Sequence, residues 1–259
     1  MPYLETGDAR LHVEIDGEGE PISVLAHGLT NTCQELARLT PLVPGTKVRF
    51  CFRGHGHSSS PATGYRFADL ARDLEAVASE FGATRAMGTS LGAGALCHML
   101  ATQPDRFERL VFLLPAGLDR PFRDTERFLH TAELLETKPR DEAVAAILSE
   151  PDRLAMYERF PTMRDVDATT WDHADLQALA RAIREIIEDY PVSDRELLRK
   201  VQAPTLVISR EGDSTHPARV ARIIAEQMPN AELLEFPDDM AMYESIPDIV
   251  QRVSALIGS

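Results

Sequence analysis

The pentapeptide Gly88-Thr89-Ser90-Leu91-Gly92 constrains this chain more than any other segment. An apolar stretch, residues 83–87, leads into it, and an apolar run that suits a helix, residues 93–101, follows it. This context predicts a sharp strand-to-helix turn, in which a strained backbone exposes the serine hydroxyl and residues larger than glycine would collide. The first amides of the helix then point at negative charge that develops beside the hydroxyl. Ser90 is therefore a candidate nucleophile, and the N–H of Leu91 is a candidate oxyanion donor.

Size and charge narrow the class of protein. At 259 residues the chain can form one large α/β domain with a full hydrophobic core. Its formal net charge is −14, and it has no run rich in lysine and arginine. Such a chain repels phosphate backbones and anionic lipid surfaces, so we expect neither a nucleic-acid nor a membrane partner. A neutral or modestly charged small molecule is the expected ligand.

The three cysteines indicate a reducing compartment. Cys33, Cys51 and Cys97 are odd in number, lie among apolar neighbours, and show neither a CxxC nor a Cys/His ligand spacing. The first residues carry no basic region followed by an apolar one, and no segment is as long as a membrane span. We expect buried, reduced thiols and a cytoplasmic protein, with no metal and no cofactor implied by any motif.

Short apolar runs alternate with helical patterns along most of the chain. Predicted strands lie at residues 4–16 (a hairpin broken at residues 7–8), 21–26, 47–52, 83–87, 110–114, 204–209 and 231–236. Predicted helices lie at residues 31–42, 67–81, 93–101, 218–228 and 247–257. This alternation predicts an α/β fold with a mostly parallel sheet covered on both faces. Residues 120–200 contain only helical patterns, so we expect a core domain of residues 1–119 and 201–259 with a helical cap of residues 120–200 inserted after the strand at 110–114.

Four motifs in this order resemble the α/β-hydrolase fold family over the whole chain. They are His27-Gly28-Leu29-Thr30, the segment 53–58 (RGHGHS), the Ser90 pentapeptide, and the strand at 204–208 followed by Gly212-Asp213. The resemblance implies that the N–H of Leu29 completes an oxyanion hole and that Asp213 is the catalytic acid. Asp119, after the preceding strand, is a second acid position that the family uses.

The family's catalytic histidine is absent from its usual place. The resemblance implies a Gly-His pair shortly before a Glu-x-x-Pro segment. That segment is present as residues 244–247, but the aligned pair is Asp238-Asp239 and no histidine follows His216. A serine hydroxyl has little nucleophilicity at neutral pH without a general base.

Two residues can substitute for that base. His216 lies three residues after Asp213 and reaches Ser90 if the loop bends inward; the alternative is a residue at a helix start that faces solvent. Asp239 can act as a base if burial raises its pKa; the alternative is a solvated acidic turn.

The remaining histidines fit packing or surface roles. Among them are His27, beside the oxyanion turn; His98, about 12 Å along the helix from Ser90; His55 and His57, in a glycine-flanked loop; and His130 and His173, in the expected cap, where contact with substrate is also open.

Three classes of function remain open from the sequence. The first is a serine hydrolase with an unusual base that acts on a small, mostly apolar ester, thioester or lactone in a cleft under the cap. The second is a lyase, an isomerase or a cofactor-free oxygen-using enzyme of the same fold. The third is a ligand-binding protein that has lost hydrolytic chemistry.

Overall fold

An antiparallel hairpin opens the sheet. In the computed structural model, which describes residues 3–37, 41, 43–122 and 125–259, strands β1 (Tyr3–Thr6) and β2 (Ala9–Asp16) pair with Thr6 opposite Ala9. Strand β2 then pairs antiparallel with β4, with Val13 opposite Phe50. The hairpin thus forms one edge of the sheet.

The other strands run parallel to one another. They are β3 (Ile22–Ala26), β4 (Thr46–Phe50), β5 (Arg85–Thr89), β6 (Arg109–Leu113), β7 (Thr205–Arg210) and β8 (Ala231–Phe236). Their order across the sheet is β1-β2-β4-β3-β5-β6-β7-β8. Parallel strands direct their carboxyl ends to one edge, and ligands bind beyond that edge in open α/β sheets. The predicted α/β architecture with a mostly parallel sheet is confirmed.

Helices cover both faces because neighbouring strand residues point to opposite sides. Val24 packs in the cluster that includes residues of helices α1 (Phe67–Glu80) and α2 (Leu91–Thr102), whereas Leu25 packs in the cluster that includes Val253 of the C-terminal helix. The remaining helices of this layered part are α8 (Ala218–Gln227), α9 (Asp239–Glu244) and α10 (Ile246–Gly258). The buried runs that predicted strands therefore belong to a sheet enclosed on both sides.

The helix expected at residues 31–42 does not form in its described part. The N–H of Glu35 donates to the carbonyl of Thr32, and that of Ala37 donates to Gln34, which are bonds of successive turns. Residues 38–40 and 42 of that prediction lie outside the described residues. A reason for the difference is the carboxylate of Glu35, which binds backbone and side-chain N–H groups near Gly28 instead of facing solvent on a helix.

The described residues between β6 and β7 form five α-helices. They are α3 (Glu126–Thr137), α4 (Arg140–Leu148), α5 (Pro151–Arg159), α6 (Thr162–Thr170) and α7 (Leu176–Ile187), followed by a 3-10 helix (Arg195–Lys200). Helices α3, α4 and α7 share an apolar cluster, which includes Leu135, Ile147 and Ile183. Among the described residues, no helix is both long enough and apolar enough to cross a bilayer.

Candidate active site

Ser90 sits on the strained turn between β5 and α2. Its φ is +50°, a value that residues with a side chain rarely adopt. A Cβ on Gly88 would lie 2.5 Å from the carbonyl carbon of Gly92, and one on Gly92 would lie 2.3 Å from the carbonyl oxygen of Ala26. Both flanking glycines are therefore required by the close approach of neighbouring backbone, as the pentapeptide predicts.

His216 lies beside the Ser90 hydroxyl. Its Nε2 is 3.0 Å from Oγ of Ser90, and its Nδ1 is 2.9 Å from Oδ2 of Asp213. The side chains of His216 and Asp213 are 19% and 8% exposed. Serine, imidazole and carboxylate thus form one continuous chain of hydrogen bonds, with the geometry that a nucleophile and its base require.

A tight turn after β7 brings Asp213 and His216 into the same loop. Gly212 adopts a φ of +76°, which glycine accepts without strain. Oδ1 of Asp213 then accepts hydrogen bonds from the backbone N–H of Thr215, at 2.9 Å, and of His216, at 3.0 Å. These bonds fold the loop back on itself, so the His216 ring turns toward Ser90 rather than toward solvent.

The surroundings of Asp213 favour its charged form. Burial alone would raise the pKa of this carboxyl, but the hydrogen bonds from His216 and the positive charge of Arg210 hold its pKa well below the ordinary value. Arg210 donates to Oδ2 at 2.8 Å. A carboxylate only accepts hydrogen bonds, so Nδ1 of neutral His216 donates to it and Nε2 is left as an acceptor for the hydroxyl proton of Ser90.

The sequence predicts that the backbone N–H groups of Leu29 and Leu91 form an oxyanion hole. Leu91 is the first residue of α2. Leu29 lies in the turn after β3, which is the strand that neighbours β5. Within the part of the chain that the structure describes, neither N–H has a hydrogen-bond acceptor. Both residues flank Ser90, since the N–H of Gly92 binds the carbonyl of His27 at 3.1 Å and Leu29 lines the same cavity as Ser90.

The turn that carries Leu29 is held by the half-buried carboxyl of Glu35. Glu35 accepts from the N–H of Gly28 at 2.7 Å and from the side-chain amide of Asn31. Burial raises the pKa of Glu35 to about 7, although both hydrogen bonds act in the opposite direction. No sequence motif pointed to this glutamate, since it falls in a segment expected to be an ordinary helix.

Buried histidines fix the neighbouring loops. His27 accepts from the N–H of Phe52 at 3.0 Å, and His173, which belongs to the helical insertion, accepts from the N–H of Gly56 at 2.8 Å and donates to the carbonyl of Thr30 at 3.0 Å. Burial lowers the pKa of His173 to about 3 and holds that of His27 well below its usual value. His173 therefore ties the insertion to both loops as a neutral ring.

The position where the family has its histidine serves another contact. Both oxygens of Asp239 accept from Arg159, at 2.8 Å each, at the end of α5. Beside this ion pair, the rings of Phe160 and Tyr243 lie 4.7 Å apart. Asp119, the second candidate acid, binds Arg195 at 2.5 Å. The structure thus brings neither aspartate to His216.

A cavity of about 200 Å³ lies in front of Ser90. It is lined by Gly28, Leu29, Thr30, Asn31, Glu35, Thr89, Ser90, Leu114, Arg127, Phe128, Thr131, Arg153, Thr215 and His216. A second cavity of about 180 Å³ shares Phe128 and Thr215 with it. Phe128, at the start of the helical insertion, is the aromatic residue of this lining. The lining is more polar than a mostly apolar ligand would need.

Comparison with known proteins establishes the family. Residues 50–240 match the family model of the alpha/beta hydrolase fold, so the chain belongs to that family. It is 30% identical, over 88% of its length and 89% of the relative's, to the pimeloyl-[acyl-carrier protein] methyl ester esterase of Chromobacterium violaceum. In fold it is similar to an enol-lactonase from Burkholderia xenovorans LB400, with a TM-score of 0.80, 22% identity and full coverage of both chains. It is also similar to a hydrolase from Pseudomonas aeruginosa PA01, with a TM-score of 0.80, 24% identity and coverage of 99% and 98%.

Proposed function

We propose that this protein is a serine hydrolase that cleaves a small carboxylic ester, thioester or lactone. The observation that supports this most is the hydrogen-bonded chain Ser90–His216–Asp213, with distances of 3.0 and 2.9 Å. The relative from Chromobacterium violaceum is named as an esterase, which agrees with the proposal. Asp239, bound to Arg159, has no part in this mechanism.

In the first half of the reaction, Nε2 of His216 removes the Ser90 proton as Oγ attacks the carbonyl carbon of the substrate. Asp213 stabilises the imidazolium that forms and keeps the ring oriented. The carbonyl oxygen gains negative charge and is stabilised by the N–H groups of Leu29 and Leu91. When the tetrahedral intermediate collapses, His216 returns the proton to the departing alcohol or thiol, and an acyl group remains on Ser90.

In the second half, water takes the place of the leaving group. His216 removes a proton from this water as its oxygen attacks the acyl carbon, and the same two N–H groups stabilise the second oxyanion. Collapse breaks the bond to Oγ of Ser90, which regains its proton from His216 and releases a carboxylic acid. Every proton therefore moves through one imidazole.

The cavity favours a small substrate with a polar or negatively charged group. Arg127 lies on its wall, donates to the hydroxyl of Thr215 at 2.8 Å, and stacks on Phe128. Arg153, also on the wall, is bound to Asp167 at 2.5 Å and so contributes little net charge. Arg127 is the cation that we expect to attract an anionic part of the substrate.

The proposal is tested with short p-nitrophenyl esters, a simple thioester and a small lactone, each with the native chain and with Ser90→Ala. We expect turnover of at least one class by the native chain and a loss of at least about 10³-fold in Ser90→Ala. An active Ser90→Ala variant, or a native chain that turns over none of the three and whose Ser90 resists a fluorophosphonate, would exclude the hydrolase.

A further inference from the structure

Three metal-binding side chains meet at a place that the catalytic proposal does not use. His12 lies on β2, Cys33 lies in the turns after β3, and Cys51 directly follows β4. Nδ1 of His12 is 3.8 Å from Sγ of Cys33 and 4.0 Å from Sγ of Cys51, and the three atoms lie within 4.8 Å of one another. No sequence pattern predicts this cluster, because the three residues are 21 and 18 positions apart.

We propose that His12, Cys33 and Cys51 form a binding site for a thiophilic divalent metal ion of the zinc class. Zinc binds thiolate sulfur at about 2.3 Å and imidazole nitrogen at about 2.0–2.1 Å in tetrahedral geometry, which sets the sulfur-to-nitrogen distance at about 3.6 Å. The two distances of 3.8 and 4.0 Å exceed that value by only a few tenths of an ångström. A small side-chain movement would therefore complete three ligands, and water would take the fourth position.

Backbone hydrogen bonds hold the donors in place. The N–H of Cys51 donates to the carbonyl of His12 at 2.9 Å, and the N–H of Cys33 donates to Sγ of Cys51 at 3.3 Å. Ser58 joins the same two strands, since its hydroxyl donates to the carbonyl of Cys51 and accepts from the N–H of His12. The site is thus largely formed before any ion binds, which reduces the cost of ordering its ligands.

Charge and access are also suitable. Both thiols lose their protons on binding, so two thiolates balance the two charges of the ion. The guanidinium of Arg49, which donates to the carbonyl of Cys33, is already bound to Glu14 at 2.9 Å and Asp16 at 2.7 Å. Cys33 and Cys51 are buried, whereas His12 is half-buried, so the path for the ion passes His12.

Cobalt(II) gives a direct test, because a cobalt–thiolate bond produces charge-transfer absorption that no step of the hydrolase proposal affects. A denatured sample of the metal-free, reduced protein is first shown to hold three reactive thiols. The folded protein is then titrated with Co²⁺ and afterwards with Zn²⁺. We expect one equivalent of Co²⁺ to produce the band and Zn²⁺ to displace it. Cys33→Ala, Cys51→Ala and His12→Gln should each weaken binding by at least about tenfold.

Cys97→Ala is the matched control, since Cys97 is buried in α2 away from the cluster, and it should bind as the native chain does. Circular dichroism identifies any variant that has lost its fold. Only the variants that keep the fold are used to decide whether the metal site exists. The absence of the band from the native chain, its persistence in a folded Cys33→Ala or Cys51→Ala variant, or its equal loss in Cys97→Ala would overturn the site. None of these outcomes depends on whether Ser90 is a nucleophile.

Discussion

Asp213 and His216 are joined twice within a single loop. The carboxylate accepts from Nδ1 of the ring at 2.9 Å through one oxygen and from the backbone N–H of the same residue at 3.0 Å through the other. The acid therefore shapes the loop and orients the ring at the same time. A loop with this geometry has no need of a histidine after β8, and position 239 is free for another contact.

Replacing the Asp213 carboxylate by an amide removes the negative charge that orients the His216 ring, while a side-chain oxygen remains to accept the hydrogen bonds of the loop. Asp213→Asn should lower kcat by about 10²–10⁴-fold, because an amide does not stabilise the imidazolium and can favour the wrong ring tautomer. Steady-state kinetics on the best ester from the substrate panel measures this loss. Asp119→Asn is the matched control, since Asp119 binds Arg195 instead of His216, and its kcat should stay within about twofold. Equal losses in the two variants would contradict the assignment of the acid.

Glu35 is expected to act through the turn that carries Leu29. Glu35→Gln leaves the cavity intact but replaces the acceptor of the Gly28 N–H, so the Leu29 amide should shift and kcat should fall about 10- to 100-fold with KM little changed. Gln34→Ala is the control, because its side chain points to Glu14 on the surface. A change confined to KM would indicate a substrate contact instead of support of the oxyanion turn.

The turn between β5 and α2 that carries Ser90, which we call the elbow, should not tolerate an added methyl group on either of its flanking glycines, Gly88 and Gly92. Gly92→Ala places a carbon 2.3 Å from the carbonyl oxygen of Ala26, so it should reduce the free energy of unfolding by about 2 kcal/mol or more. Gly7→Ala adds its carbon where no atom lies within 4 Å and should change stability by less than about 0.5 kcal/mol. Urea denaturation of both variants gives the comparison. Similar stabilities would mean that the elbow is less tightly packed than the structure has it.

Most of the strands and the elbow could be predicted from the sequence, because they depend on local pattern. The buried runs before Ser90 and before Asp213 became β5 and β7, and the glycines of the pentapeptide were needed where the motif requires them. The direction of the His216 ring could not be predicted, since it depends on two backbone hydrogen bonds to Asp213 that have no periodic signature. Glu35 was missed for a similar reason. Its hydrogen bonds with Gly28 and Asn31 hold the turn that carries Leu29, whereas the pattern of residues 31–42 suggested a helix.

Contacts between residues that are far apart in the sequence could not be predicted either. The contact of His173 with Gly56 spans 117 residues, and the pair of Arg159 with Asp239 spans 80. Both pairs join the helical insertion to the sheet-bearing part, and neither His173 nor Arg159, the partners in the insertion, belongs to a motif.

Acid should destabilise the protein through its buried histidines. Because burial lowers the pKa of His173 from about 6.5 to about 3, the unfolded chain holds a proton there that the folded chain lacks between these two values. The free energy of unfolding therefore rises with pH in this window, by about 1.4 kcal/mol per pH unit for this one group. The contribution of His173 is complete above pH 6.5.

His173→Gln isolates that contribution. Urea unfolding at pH 4, 5 and 6 should show a slope of stability against pH that is smaller by about one proton than in the native chain, whatever the variant's absolute stability. His130→Gln, at an exposed position, should leave the slope unchanged. An unaltered slope in His173→Gln would mean that this ring is protonated in the folded protein.

The assignment of the base is tested most directly by the rate at which a fluorophosphonate labels Ser90, followed by intact mass in the native chain, His216→Gln and Asp239→Asn. The hydrogen bond of 3.0 Å between His216 and Ser90 predicts a rate at least about 10³-fold lower in His216→Gln. Because Asp239 is bound to Arg159, Asp239→Asn should label within a few-fold of the native rate. Rapid labelling of His216→Gln together with slow labelling of Asp239→Asn would contradict the account and move the base to position 239.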